Sequence, residues 1–226
     1  MNLRHIFILP ALLTAMACSD DSPVTPDTPD TPEGPDITNS VEKLVSIDAG
    51  QTFQTIAGFG ASDCWTPAFV GNSWTSHRAG ITELLFSSEI VGGKPKGIGL
   101  SQWRVNLGGG SAAQGEACGI EDKSRHAESY LTDDLTYDWT RCEGQRYFMD
   151  RAKELGCNNF VLFSNTPPVQ YTYNGKGFSA RGGLSNLKPE HYGDFAGYMA
   201  DVAARYTGEG YHISHISPVN EPQYNW

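Results

Sequence analysis

The chain has 226 residues, of which 26 are acidic and 16 are Lys or Arg, and its formal net charge at pH 7 is −10. This charge argues against nucleic acid as a partner, because nucleic-acid-binding proteins need clusters of Lys and Arg. The composition, with 11% aromatic residues and 25 glycines, is that of a globular protein.

Residues 1–17 are predicted to be a lipoprotein signal peptide. Their apolar run ends at Cys18 and is shorter than the stretch of about 20 residues that a spanning helix needs. Small residues precede Cys18, so we expect cleavage and lipidation there, with simple secretion as the alternative. The protein would then be an outer-membrane or cell-surface lipoprotein, in contact with the membrane only through its lipid. A periplasmic or secreted protein is the alternative.

Residues 18–40 are predicted to form an extended acidic tether. Proline recurs at every third position from 23 to 35 and no aromatic residue is present, so this segment cannot bury a core. Residues 19–40 carry six of the 26 acidic residues and no Lys or Arg, so the tether holds much of the negative charge. Residues 41–226 are long enough for one domain with a sizeable core.

The rest of the chain alternates predicted strands and helices. In chain order we expect a hairpin or two short strands at 41–56, a strand that closes at 58–60, a helix at 77–87, a strand at 100–107, an elaborated loop to about 140, a helix at 144–155, a strand at 159–163, a helix at 189–206 and a strand at 213–219. Such alternation predicts parallel βα units and the α/β class. An eight-stranded barrel takes about 250 residues, so we expect about half of a barrel, truncated after about the fourth strand.

The cysteines have no Cys-x-x-Cys spacing and therefore no zinc signature. We predict no metal site and no cofactor. Export permits a disulfide, for which Cys118 and Cys142 are the candidate pair, and four unpaired cysteines are the alternative.

Polar residues cluster where the predicted strands end, which is where functional groups gather in parallel α/β folds. The candidates are Asp63, Arg104, Asn106, Asn165, Asn220 and Glu221. The Asn220-Glu221 pair alone would equally suit a solvated loop. However, a strand precedes it, prolines flank it, and Trp226 offers a flat face on which a sugar ring can stack. Glycoside chemistry needs a carboxylic acid that stays partly protonated near neutral pH.

Several motifs together resemble glycoside hydrolase family 30. These are GFGASDCW, SQWRVN, SNTPP followed by YNGKG, SNLKPEHYGDFAGYMADVAARY and ISPVNEP. The resemblance runs from about residue 44 to 226. It implies a (β/α)8 TIM barrel, with N-terminal strands that would join a side β-structure. Residues 41–226 would then be the N-terminal half of the catalytic barrel.

The resemblance also implies roles for individual residues. Glu221 would be the catalytic acid/base of a retaining enzyme, Asn220 would hold the substrate 2-hydroxyl, and Arg104 would pair with the nucleophilic carboxylate. Arg104 could alternatively belong to a buried structural ion pair.

The remaining candidates are less specific. Asp63 could bind a sugar hydroxyl or cap its own loop, and Asn106 and Asn165 are further substrate-binding candidates. Many family members carry an aromatic residue soon after the proline pair, and here Tyr171 or Tyr173 would replace it.

The implied function is a retaining, endo-acting hydrolase of a β-linked polysaccharide. β-1,6-Galactan is the preferred substrate, followed by β-1,6-glucan or xylan, and a glycosylceramide is disfavoured. The nucleophile of the family is a Glu at the end of the seventh strand, so we expect the chain to be inactive alone. A non-catalytic glycan-binding surface lipoprotein is the alternative from another class. Other surface proteins of glycan utilisation are expected partners.

Overall fold

The structure is a computed structural model that describes residues 45–222. The predicted signal peptide, the tether, Cys18 and Trp226 lie outside the described residues. The chain divides into two units, residues 1–53 and 54–226. The described part of the first unit, 45–53, contains a turn and no strand.

The second unit alternates strands and helices. Its elements are β1 (Gly60–Ser62), α1 (Thr66–Ser73), α2 (Arg78–Phe86), β2 (Ile90–Val91), β3 (Lys94–Pro95), β4 (Gln102–Asn106), α3 (Glu143–Glu154), β5 (Asn159–Phe163), α4 (Tyr192–Gly208) and β6 (Ile213–Ser217). Short 3-10 turns occur at Ser111–Cys118, Lys123–Arg125, Val169–Tyr171 and Pro189–His191.

Four strands form one parallel sheet in the order β1, β4, β5, β6. Helices α1 and α2 connect β1 to β4, α3 connects β4 to β5, and α4 connects β5 to β6. This arrangement confirms the predicted α/β class. In strand β5 (NFVLF), four consecutive apolar residues follow Asn159. Such a run is typical of a parallel strand covered on both faces, and Phe160 and Leu162 are fully buried.

The two long helices cover the sheet with regularly spaced apolar residues. In α3 these include Phe148, Met149 and Ala152, and in α4 they include Val202 and Tyr206. The spacing of three or four residues places each set on one face of its helix.

Aromatic side chains anchor the long loop after β4 to the core. The Tyr130 hydroxyl lies 2.8 Å from the Tyr206 hydroxyl of α4. Tyr137 stacks on Trp139 with ring centroids 4.9 Å apart.

The prediction of strands near the N-terminus is wrong in two places. Residues 45–56 contain no strand, and the predicted strand at 58–60 is instead β1 at Gly60–Ser62. Val45, Ile47 and Phe53 are 74%, 77% and 87% exposed, so their apolar alternation meets no partner strand among the described residues. Positions 41–44 lie outside that part of the chain.

Two elements were not predicted. Helix α1 carries a proline and a glycine and has no apolar stripe, and β2 and β3 form a two-stranded hairpin where only a loop was expected. Both elements are short, so periodicity gives little signal for them.

Of the two alternatives for the cysteines, the predicted disulfide between Cys118 and Cys142 is wrong. Cys64, Cys118, Cys142 and Cys157 are all free thiols. The Cys118 sulfur lies 3.3 Å from His126 Nε2 and accepts the Ile120 N–H, whereas Cys142 precedes α3. The two thiols are thus fixed in separate local environments.

Helices α1 and α3 approach each other at two glycines. A Cβ atom at Gly144 would lie 2.4 Å from the Ala68 carbonyl oxygen, and one at Gly71 would lie 2.2 Å from the Gly144 carbonyl oxygen. We expect Gly144→Ala to lower the free energy of unfolding by about 1–3 kcal/mol, because backbone must move to relieve the contact. Urea unfolding of the full chain measures this change.

The control is Gly197→Ala in α4, where a Cβ atom meets nothing within 4 Å. This change should be neutral or stabilise by up to about 1 kcal/mol, because Ala favours the helix more than Gly does. Equal unfolding midpoints for the two variants would contradict the close packing of α1 on α3.

Candidate functional site

The candidate site lies where the four parallel strands end, at one edge of the sheet. Asp63 follows β1, Asn106 ends β4, Asn165 comes two residues after β5, and Asn220 comes three residues after β6. Because parallel strands present their carboxyl ends at the same edge, residues far apart in sequence meet there.

A chain of hydrogen bonds joins three of these strand ends. Arg104 Nη2 donates to Asn220 Oδ1 at 2.8 Å, and Asn220 Nδ2 donates to Asn165 Oδ1 at 3.0 Å. The Asn165 backbone N–H donates to Asn106 Oδ1 at 3.3 Å. Since Asn220 accepts from one neighbour and donates to another, only one orientation of its amide satisfies both contacts.

Other contacts hold the Arg104 side chain in place. Its guanidinium carbon lies 3.4 Å from the centroid of the Phe163 ring, and its Nη1 donates to Ser62 Oγ at 3.3 Å. Arg104 is part-buried, and its guanidinium brings a positive charge to the strand ends.

Glu221 has an unusual backbone conformation. Its φ is +44°, in the left-handed region that non-glycine residues rarely adopt. Glu221 is exposed and stands between Asn220 and Pro222, which both line the cavity described next. Such conformations cluster at functional sites, which makes this position a candidate for chemistry.

A cavity of about 340 Å³ opens beside the asparagines. Its size is in the range of sites for small molecules. It is lined by Trp65, Asn106, Ser111, Ile120, Arg125, Ala127, Ser164, Asn165, Thr166, Pro167, Gly177, Phe178, Ser179, Gly183, Leu184, Ser185, Asn186, Leu187, Phe195, Pro218, Val219, Asn220 and Pro222. Asn106, Asn165 and Asn220 therefore face one space, as their positions after the strands predict.

Asp63 is not placed to bind a sugar. It is 2% exposed and does not line the cavity. Its Oδ1 accepts the Asn106 backbone N–H at 2.9 Å, and its Oδ2 accepts Gln145 Nε2 at 2.7 Å. The structure thus contradicts the predicted sugar contact. The alternative, a cap of its own loop, does not describe these contacts either, because Asn106 belongs to β4 and Gln145 to α3. Burial raises the pKa of Asp63 to about 7, although hydrogen bonds from Gln145 and Asn106 and the charge of Arg104 act to lower it.

Tyr171 is also not an open platform for a sugar. It is 7% exposed, and its ring stacks on His191 with centroids 4.9 Å apart. Tyr173 is about half exposed, but it carries the Arg181 guanidinium 4.0 Å from its ring centroid. Neither tyrosine lines the cavity.

The aromatic residues that do line the cavity are Trp65, Phe178 and Phe195. Phe178 follows the YNGKG motif, so its position in the loop after β5 was a usable signal, although it is not among the predicted site residues. Gln145, which contacts Asp63, was not predicted either. A glutamine near the start of a helix carries no signal of its own.

Within residues 45–222, no group of three or more His, Cys, Asp or Glu side chains is arranged to hold a metal ion. No helix in the same range has the length and apolarity needed to cross a membrane.

Comparisons with known proteins place these features in a family. The model of O-Glycosyl hydrolase family 30 matches residues 42–226. Endo-beta-1,6-galactanase from Hypocrea rufa is 27% identical over 199 residues, which cover 80% of this chain and 40% of that protein.

Two solved structures share the fold of this chain. A conserved exported protein from Bacteroides fragilis is 36% identical with a TM-score of 0.74, and the match covers 80% of this chain and 37% of that one. The catalytic domain of GH30 xylanase C from Talaromyces cellulolyticus is 22% identical with a TM-score of 0.50, over 78% of this chain and 39% of that one.

The chain thus spans about two fifths of the length of these relatives. The four parallel strands with their helices are part of a (β/α)8 TIM barrel, which confirms the predicted architecture. Because the family model covers most of the sequence, the chain belongs to O-glycosyl hydrolase family 30.

Proposed function

We propose that this chain supplies the acid/base side of the active site of a retaining glycoside hydrolase that cleaves a β-linked polysaccharide. The observation that carries this proposal is the hydrogen-bonded set of Arg104, Asn220 and Asn165 beside Glu221. These groups meet at the carboxyl ends of the strands, where barrel enzymes place their chemistry.

In this proposal Glu221 protonates the leaving glycosidic oxygen and later takes a proton from the attacking water. The nucleophile would come from the seventh strand of the barrel, whereas the described sheet contains four strands. Arg104 would lie beside that nucleophile and keep it ionised, since a nearby positive charge lowers the pKa of a carboxyl group.

Asn220 would position the sugar. Its Nδ2 has two hydrogens, and Asn165 uses one of them. The second is available for the 2-hydroxyl of a sugar in the cavity that Asn220 lines. A bond of this kind strengthens in the oxocarbenium-like transition state.

We propose β-1,6-galactan as the substrate, with β-1,6-glucan and xylan as the alternatives. The relative from Hypocrea rufa, named an endo-beta-1,6-galactanase, supports this choice. The exported protein from Bacteroides fragilis supports an exported location. Lipidation of Cys18 stays a prediction.

The test uses a barrel enzyme that contains this chain, assayed on all three polysaccharides. We expect fastest release of oligosaccharides from β-1,6-galactan. Asn220→Ala should lower kcat/KM by about tenfold to hundredfold, because it removes a hydrogen bond that the transition state strengthens.

The exposed Asn158 provides the control, and Asn158→Ala should leave kcat/KM unchanged. Full activity of Asn220→Ala would contradict the proposed role. Faster hydrolysis of β-1,6-glucan or xylan would overturn the choice of substrate.

A further inference from the structure

Gln145 links α3 to two strand ends from outside the cavity. It lies in the first turn of the helix and is 6% exposed. Its Nε2 donates to Asp63 Oδ2 at 2.7 Å and to the Asn106 carbonyl oxygen at 2.9 Å. Both hydrogens of the amide are therefore used on groups that follow or end β1 and β4.

The contacts continue from Asp63 toward the cavity. Asp63 Oδ1 accepts the Asn106 N–H, and Asn106 Oδ1 accepts the Asn165 N–H. Asn165 Oδ1 then accepts Asn220 Nδ2. Each of these three hydrogen bonds joins the ends of two neighbouring strands of the sheet. In this series each acceptor oxygen receives one donor.

We propose that Gln145 is a positioning residue for Asn220 and acts through Asp63, Asn106 and Asn165. This inference rests on the proposed function for the role of Asn220 in sugar binding. Gln145 does not line the cavity, so any effect it has on a glycan must pass through the other residues.

Packing and charge both support a fixed position for Gln145. The neighbouring Gly144 contacts α1 so closely that α3 cannot shift toward it. The buried Asp63 carboxylate requires donors, and Arg104 is the charged group that acts on it. Without Gln145, the Asp63 side chain would retain only the Asn106 N–H, and the Asn106 carbonyl oxygen would lose one donor. The β4–β5 pairing would remain, but the contacts that fix Asn106 from the side of α3 would be lost.

The experiment measures the affinity of the full 226-residue chain for β-1,6-galactotetraose by calorimetry. We expect Gln145→Leu and Asn220→Ala each to weaken binding by about tenfold. The double variant should bind no more weakly than Asn220→Ala alone, because both changes act on one contact. Gln114→Leu is the matched control, because Gln114 donates to the Gly175 carbonyl in a loop and does not line the cavity.

A purely structural role for Gln145 predicts a different result. Losses that add in the double variant, or unchanged binding by Gln145→Leu, would overturn the inference. If Gln145→Leu does not fold, Gln145→Asn replaces it, because the shorter side chain keeps an amide but cannot reach both Asp63 and the Asn106 carbonyl oxygen as Gln145 does. We then expect an affinity between those of the unmodified chain and Asn220→Ala, and an unchanged affinity would count against the inference.

A second readout separates this inference from the proposed function. If Asn220→Ala binds the glycan normally, the proposed function fails. The side-chain amide signals of Asn220 in the NMR spectrum of the Gln145 variant then decide the inference. A change in these signals supports the link between the two residues, and identical signals refute it.

Discussion

Glu221→Gln is expected to reduce hydrolysis of β-1,6-galactan at least about a hundredfold in a barrel enzyme that contains this chain. The glutamine has nearly the shape of the glutamate, but it can neither protonate a leaving oxygen nor accept a proton from water. Asn220 and Arg104 keep their contact in this variant, so substrate binding should change little. The expected result is therefore a fall in kcat with a similar KM.

A substrate with a good leaving group distinguishes an acid/base residue from a merely structural one. A dinitrophenyl β-galactoside needs no protonation for bond cleavage, so its first step should proceed at nearly the normal rate in Glu221→Gln. The second step needs the base, so the covalent intermediate should accumulate and give a burst of released phenolate.

Glu190→Gln is the control, since Glu190 is exposed in the turn before α4. This variant should hydrolyse galactan normally. If Glu221→Gln slowed both steps on the activated substrate equally, the acid/base assignment would be wrong. Full activity on galactan would exclude any catalytic role for Glu221.

The strong periodic elements of this fold were predictable from the sequence. The continuous apolar run of β5 and the regularly spaced apolar residues of α4 each specify their own structure locally. The meeting of Arg104 with Asn220 was also predictable in outline, because parallel strands bring their ends together. This contact joins residues that are 116 positions apart.

Features that depend on tertiary packing were not predictable. Asp63 and Tyr171 stand next to strand ends or motifs, as exposed site residues do, and yet both side chains are buried. They contact Gln145 and His191, which lie on other elements. Residues 45–56 show the opposite error, in which a predicted element does not form. An alternating pattern specifies a strand only where another strand pairs with it.

The burial of Asp63 has a consequence for stability that can be measured as a function of pH. Its pKa rises from an ordinary 3.8 to about 7 in the folded state. Below about pH 4 the carboxyl is protonated in both the folded and unfolded states. Between about pH 4 and 7 only the unfolded state ionises, so the free energy of unfolding falls as pH rises. The decrease is complete above pH 7 and amounts to about 4 kcal/mol at most.

Asp63→Asn should remove this pH dependence, because an amide does not ionise in that range. At pH 4 the variant should be the less stable protein, since its new N–H groups face the donor of Gln145. Between pH 4 and 8 the stability of Asp63→Asn relative to the unmodified chain should increase by up to about 4 kcal/mol. Urea unfolding at a series of pH values measures this difference.

The exposed Asp133 supplies the matched control, and Asp133→Asn should leave the pH dependence of unfolding as it is in the unmodified chain. Parallel stability curves for Asp63→Asn and the unmodified chain would show that the Asp63 carboxyl titrates in the folded state as it does in the unfolded one. In that case burial would not govern its ionisation. Asp63 would then be ionised at pH 5 as well as at pH 8, and it would accept its two hydrogen bonds throughout that range.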